Sequence, residues 1–537
     1  MIRAPPTAPA QTVTATVRET VTGVVPPTTT VATIVAKYGG TLVAQLTDEP
    51  AQLNPMISVH AATSFVGAQV FETLIQRDFE MNLSPGLARS WDVSSDGKTY
   101  IFDLQPDAVW HDGEPFTADD VVFTYTQLAP KNFPYYDAYF GSVKSVEALG
   151  KHTVAFKLKE YVSPDFLTYF ADICGGTPLP RHLYEGTDIG NNPYNTNPIG
   201  TGPFKMSEWK KATSITTVKN PDYFVQERPY LDKIVTVFIY DASAALAAFQ
   251  AGQVHALWGM QEPSMIPTVE KIPGAAVSIL PSPAQPYYKM QFNLRDPILK
   301  STEVRQALYH ATNIPEIFEK IYYESGILST GPLSPGSFTK KYYTADVKQY
   351  QYDPNVANQL LDEAGYARKG DGTRFKLECL IPASGAMFIK QCEILRDQWS
   401  KVGVDLVNVA EEDMLFLQHV YLDWKFQLNP IWEYGGPTIG PALGYLHSRQ
   451  IIKSYFTNNM GYSNSRVDEL IDLQASESDE AKRIEKVQEI QRIVMEDPPE
   501  IYLFTINSIY PYYTKFHNMP PAPGIPPEAW EDVWVEQ

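Results

Sequence analysis

Cysteine, histidine and basic charge are scarce in this chain, and long apolar runs are missing. Its 537 residues include three cysteines, Cys174, Cys379 and Cys392, and nine histidines. No CxxC occurs and no Cys/His cluster has zinc spacing, so the pattern gives no metal site. A disulfide between Cys379 and Cys392, the first in an expected strand and the second in the helix after it, stays open at this level. No apolar stretch reaches the ~18 residues that a membrane-spanning helix needs. The opening residues Met1-Ile2-Arg3-Ala4-Pro5-Pro6 do not form a secretory signal; in an exported protein such a signal or anchor would have been removed or lie upstream of this numbering. Lys and Arg number 43 against 62 Asp and Glu, a net charge of −19. Such a surface repels nucleic acid and anionic lipid and favours solubility, and it leaves room for a preference for cationic solutes. GxSxG, HExxH, the P-loop and GxGxxG are all missing, which removes the common hydrolase, metalloprotease and nucleotide signatures. A hydrolase with an unfamiliar carboxylate pair is not removed, because such pairs come from distant positions.

The length exceeds what a single core supports, so two or more domains are expected. Residues 1–36 stand apart, with ten Thr, five Pro and no aromatic residue. This segment lacks the apolar surface to offset its ordering entropy. It reads as a disordered Thr/Pro-rich stalk that spaces the body from a membrane or envelope. From Thr41–Leu46 onward strands and helices alternate, which argues for α/β lobes. Helix ends are legible. Thr117 and Asp120 make a short capping box, Asp241 and Ser301 cap the helices that follow them, and Asp353-Pro354 starts another. A long amphipathic helix is expected over Ala481–Glu496, stopped by Pro498-Pro499. With 32 Tyr and 12% aromatics, the chain has rings for a large core or for a wide amphipathic pocket.

Two clusters invite a chemical reading. His111-Asp112 resembles a dyad, but Gly113 follows, and an Asp-Gly hairpin turn explains it more simply. Glu411-Glu412-Asp413 has the composition of paired carboxylates or a calcium site, and equally that of a solvated loop before a helix.

A series of short motifs runs in order along the chain. Leu53-Asn54-Pro55 is followed by Phe71-Glu72-Thr73-Leu74-Ile75, by Pro85-Gly86-Leu87-Ala88-Arg89-Ser90-Trp91, and by the run Val109-Trp110-His111-Asp112-Gly113-Glu114-Pro115-Phe116-Thr117-Ala118-Asp119-Asp120-Val121. Next come Gly200-Thr201-Gly202-Pro203-Phe204, Asn220-Pro221-Asp222-Tyr223-Phe224, Phe292-Asn293-Leu294, Val304-Arg305-Gln306-Ala307-Leu308 and Gly461-Tyr462-Ser463-Asn464. Together they resemble the family 5 extracellular solute-binding proteins of ABC transporters, which include dipeptide, oligopeptide and nickel binders.

The resemblance implies a large, three-domain, two-lobed periplasmic-binding-protein-like α/β fold with a ligand cleft between the lobes. Domain I would comprise 37–71, 198–286 and 505–537, domain II 72–197, and domain III, the second lobe, 287–504. It further implies a monomeric, extracellular or cell-surface receptor, not an enzyme, that captures a short peptide by hinge closure and delivers it to ABC permease subunits. No cofactor or metal is implied. Family peptide binders hold the ligand backbone along strand edges, and a lobe-two Asp pairs with the ligand's amino group. Here Pro430-Ile431-Trp432-Glu433-Tyr434-Gly435-Gly436-Pro437 places Glu433 at that position, with Trp432, Tyr434 and Gly435 beside it. Trp432 and Tyr434 are expected to form a stacking platform. Asn54 should face the hinge side, and Trp258 and Gly259 should reach the cleft. An oligosaccharide is the alternative ligand, since the ring pair would suit stacked sugars. Nickel or haem is disfavoured by the lack of a His or Met cluster in the cleft segments. A structural envelope protein with a vestigial cleft is a further reading.

Overall fold

The computed structural model describes residues 37–78, 82–161, 164–258, 263–281, 286–336, 339–434, 439–519 and 530–536. Residues 1–36, expected to form a stalk, and Gly259 and Gly435 lie outside them.

Strand β1 (Thr41–Leu46) opens the body and the helix Ala61–Val70 follows. The short hairpin β2 (Ile75–Arg77) and β3 (Leu83–Pro85) leads into β4 (Ala88–Val93), β5 (Thr99–Leu104), β6 (Val143–Gly150) and β7 (Thr153–Leu158). The last four make their own antiparallel sheet in the order β4-β5-β7-β6. The chain then forms β8 (Phe204–Lys210), β9 (Ser214–Lys219), β10 (Lys233–Phe238), β11 (Ala256–Leu257) and β12 (Ala275–Pro281). β1 pairs in parallel with both β10 and β11. The helix Ala242–Gln250 provides the crossover that parallel strands require. Asp241 starts it by accepting the Ala244 N–H at 2.7 Å.

The second half forms β13 (Pro286–Phe292), β14 (Gly326–Leu328), β15 (Phe375–Pro382), β16 (Val404–Glu411), β17 (Leu428–Tyr434) and β18 (Glu500–Tyr513). β19 (Phe516–His517) and β20 (Trp534–Val535) close the chain as a small pair. β15 and β16 are parallel, joined over the helix Ala386–Ser400. The long helix is observed at Glu480–Glu496, with Asp479 capping it.

Among the described residues the two largest apolar cores are separate. One is built around Leu42, Phe65, Phe102, Phe156, Trp258 and Trp530. The other gathers Met290, Leu308, Tyr322, Leu377, Trp399 and Phe504. β18 is long because it serves both lobes: its first half pairs with β13 and β14, its second half with β12 and β11. The handover falls between Thr505, opposite Tyr287, and Asn507, opposite Pro281. The chain therefore passes from one lobe to the other after β12 and again along β18.

Several of the motifs prove to be scaffold. Arg305 is buried, and its guanidinium donates to the carbonyls of Leu299, Lys300 and Pro498 and pairs with Asp497. A Cβ on Gly200 would stand 1.9 Å from the Val70 carbonyl oxygen, so only glycine fits there. His111 locks the same region: Nδ1 accepts the Gly200 N–H at 3.2 Å and the opposite ring nitrogen reaches the Gly202 carbonyl at 3.0 Å. Burial pushes the His111 pKa down to about 4, so the ring is neutral and can hold one proton at Nε2 for that carbonyl. Gly113 adopts φ +94° in the turn behind it, and Asp112 pairs with His182 instead of His111. The apparent dyad is a structural clip and an Asp-Gly turn. The three cysteines are buried and none is in a disulfide, with the sulfurs of Cys379 and Cys392 3.7 Å apart.

Candidate functional site

β17 ends beside the crossing between lobes. Its Glu433 lies opposite Tyr287, and Tyr434 lies opposite Pro286, the first residue of β13 after the crossing. Alternation along a strand sends neighbours to opposite faces. Tyr288, Met290 and Phe292 of β13 face the second core, while Tyr287, Lys289 and Gln291 share the other face with Asn429, Ile431 and Glu433 of β17.

That second face carries a buried polar network. Lys289 Nζ lies 3.0 Å from Glu433 Oε2, 3.2 Å from Glu500 Oε1 and 2.8 Å from the Tyr445 hydroxyl. The three donors of the ammonium thus have three acceptors. Tyr445 in turn donates to Glu500. Gln291 extends the network, donating to Glu500 Oε2 at 3.3 Å and accepting from Asn429 and Asn459. The side chains of Lys289, Glu433 and Glu500 are 3%, 13% and 0% exposed, so Glu433 is the open end of the cluster. Burial works against the charge on Lys289, but the carboxylates, Glu433 foremost, outweigh it and raise its pKa. Glu500 is also raised, chiefly by burial and against the pull of Lys289. The arrangement can hold charge in place. Its carboxylates are engaged by an internal cation rather than free to titrate a substrate.

Glu433 therefore already has a cationic partner, which the sequence did not reveal. Trp432 is 42% exposed and, as the neighbour of Glu433 in β17, points to the opposite face. The stacking platform expected to flank Glu433 is not formed by Trp432 on that face, because alternation separates the two.

In lobe one, Trp258 is buried among Phe65, Trp530 and Tyr510. It also lines a cavity of about 270 Å³ with Ser278, Tyr510, Tyr512, Phe516 and His517. Among the described residues its indole N–H has no hydrogen-bond partner. Asn54 is not at the surface. It is fully buried, donates to Asn195 at 2.9 Å and accepts the Met56 N–H at 2.9 Å, so its polar atoms are spent on shaping the loop after β1.

The acidic triplet is likewise structural. Glu412 caps the helix Asp413–Leu417, Asp413 accepts the Ser384 N–H, and Glu411 meets His419 at 3.0 Å. Among the described residues no group of three or more His, Cys, Asp or Glu side chains could hold a metal ion.

The missed residues are Lys289, Glu500 and Tyr445. β13 reads Tyr287-Tyr288-Lys289-Met290-Gln291-Phe292, and its polar alternate positions look solvent-facing in sequence. Only the cover supplied by Tyr445 and Asn459 reveals that the face is buried.

A family model for bacterial extracellular solute-binding proteins, family 5 (middle region), matches residues 82–437. The chain is 30% identical to the oligopeptide-binding protein AppA of Bacillus subtilis over 493 residues, 88% of this chain and 87% of that protein. It is similar to the solved structure of Bacillus subtilis AppA in complex with a nonapeptide, at TM-score 0.73 and 26% identity over 94% of this chain and 100% of the other. It is also similar to NikZ of Campylobacter jejuni in complex with Ni(L-His), at TM-score 0.75 and 25% identity over 92% and 99% of the two chains. The two-lobed α/β architecture is that of the periplasmic binding proteins: this is a substrate-binding protein of the ABC-transporter type, extracellular or periplasmic, and not an enzyme. Specifically, the chain belongs to the bacterial extracellular solute-binding proteins, family 5.

Proposed function

We propose that the protein captures short peptides between its lobes, closes on them by rotation about the two crossings, and delivers them to the permease of an ABC importer. The observation that carries this reading is the placement of β17: its last residues run to the lobe junction, where an extended ligand can lie along a strand and be read through its backbone. The similarity to AppA, solved with a nonapeptide, supports it. Trp432, Glu433, Tyr434 and Gly435 would form the lobe-two wall, and Trp258 with Gly259 the lobe-one wall. The cavity beside Trp258 adds space at that wall. Asn54 would act through the loop it holds.

Ligand that bridges both lobes shifts the population to the closed form by its differential affinity. We read the lobes as domain I (37–71, 198–286, 505–537) with domain II (72–197), and domain III (287–504), and the receptor as a monomer spaced from its membrane or envelope by residues 1–36. An oligosaccharide is the second reading, favoured by the half-exposed ring of Trp432.

Native mass spectrometry of the purified protein, followed by denaturing release of what it carries, tests the reading. A ladder of peptides a few residues long is expected. Masses spaced by hexose or pentose units would overturn it in favour of sugar import.

A further inference from the structure

We infer that Tyr455 and Phe456 form an aromatic ledge on lobe two that takes a large apolar side chain of the captured peptide, so that the receptor prefers peptides carrying an aromatic or long aliphatic residue. The inference rests on the peptide reading above and adds a side-chain preference to it.

The ledge is built on the face of β17 that carries Glu433. The loop between Tyr445 and Asn459 is rooted at both ends on the buried polar network. Tyr445 meets Lys289 at 2.8 Å, and Asn459 donates to Gln291 at 3.0 Å. Under the loop lies Tyr421, in the helical turn Gln418–Asp423, its ring centroid 5.4 Å from that of Phe456 and 6.1 Å from that of Tyr455. Tyr421 packs in a small apolar cluster with Phe416, Val420 and Ile431, and Ile431 shares its face of β17 with Glu433. Burial pushes the pKa of the Tyr421 hydroxyl up, and the nearby charges of Glu433 and Glu500 add to the effect. Apolar surface therefore runs from the strand beside Glu433 to the two rings.

The fold holds these rings outward. Phe456 is 67% exposed and Tyr455 42%. The loop that carries them is tightly fastened. Asn458 is fully buried, donates to the carbonyls of Leu446, His447 and Tyr462, and accepts the N–H groups of Gly461 and Tyr462. Thr457 Oγ1 donates to the carbonyls of Ile452 and Ser454. Phe456 sits at φ +57°, a left-handed conformation that bulky side chains avoid. Such strain persists only where the surrounding structure imposes it, and it clusters at ligand sites.

The surroundings of the ledge favour an apolar occupant. Ring surface left in water gains most from cover by other apolar surface. A sugar or a charged side chain would need polar partners, and those nearby are committed. Thr457 and Asn458 serve the loop backbone, Arg449 pairs with Asp472, and Lys453 lies over the Trp424 ring at 5.3 Å.

The experiment is titration calorimetry of ligand-stripped protein with short alanine peptides in which each alanine in turn is replaced by phenylalanine. At one position phenylalanine should bind about tenfold more tightly than alanine, as burial of its ring on the ledge requires. In Phe456→Asn, which removes the ring and tolerates the left-handed backbone, that advantage should fall to about threefold or less. Tyr455→Ser should reduce it in the same direction. Peptides that bind with no preference for phenylalanine at any position overturn the inference and leave the peptide reading intact. So does a preference that survives both substitutions, since the side chain would then lie elsewhere. If no peptide binds the parent, the peptide reading falls and the inference with it.

Discussion

Replacing Lys289 by Met removes the cation that pairs with Glu433 and Glu500 while keeping most of the side-chain volume. In the parent, Nζ is within 3.2 Å of both carboxylates, and Glu500 has no exposed side-chain surface. Breaking a buried ion pair by deleting one partner costs about 3–5 kcal/mol, because the other charge stays desolvated. For a lobe of this size each kcal/mol moves Tm by about 2–4 °C, so a fall of about 6–20 °C is expected. The fall should depend on pH. Burial already raises Glu500 in the parent, and loss of Lys289 raises it further. A carboxyl raised in the folded state binds its proton more tightly there than in the unfolded chain. Stability then declines as pH climbs from the unfolded value of about 4.3 through the raised folded value. The deficit should be full above the raised folded value and shrink as pH falls toward the unfolded value. Adding Glu500→Gln should recover part of it by removing the stranded charge. Differential scanning calorimetry at several pH values reads all of this. A Lys289→Met protein as stable as its parent at the higher pH, or one whose deficit ignores acid, would refute the picture of a buried cluster held by that lysine.

Three further outcomes are expected. His111, held near a pKa of about 4 by burial, contributes stability that is complete above its unfolded value of about 6.5 and is lost as pH falls through the folded value; His111→Gln should flatten that part of the acid-unfolding profile. Arg305→Ala strands several buried carbonyls that the guanidinium now satisfies, and should cost at least about 3 kcal/mol in a urea titration monitored on lobe two. Thiol titration should find no reactive cysteine in the folded protein and three after unfolding in guanidinium without reductant; a count of one would identify Cys379 and Cys392 as bonded to each other.

Much of the scaffold was legible from local chemistry. The Thr117–Asp120 capping box forms as read, with the Thr117 N–H donating to Asp120 at 2.9 Å. The caps at Asp241, Ser301 and Asp353 were equally visible, since a cap and its helix lie within a few residues of each other. The candidate site was harder. Glu433 could be named, but not the lysine beside it, because 144 residues separate the two in sequence. The tyrosine that completes the cage is 156 residues from Lys289. Asn54 was drawn toward the cleft by its motif, while its donors and acceptors are used at Asn195 and Met56.

By itself the sequence determined the alternation of strands and helices, the helix ends and the family, because propensity, capping and motif order are written over short stretches of chain. Tertiary structure alone decided which polar residues are buried and what they hold. Lys289 and Glu500 belong to distant strands, and their charges meet only after β13, β17 and β18 are laid side by side. Nothing local to either residue distinguishes a solvated alternate position from one roofed by Tyr445, so the charge state of that cluster is a property of the folded sheet.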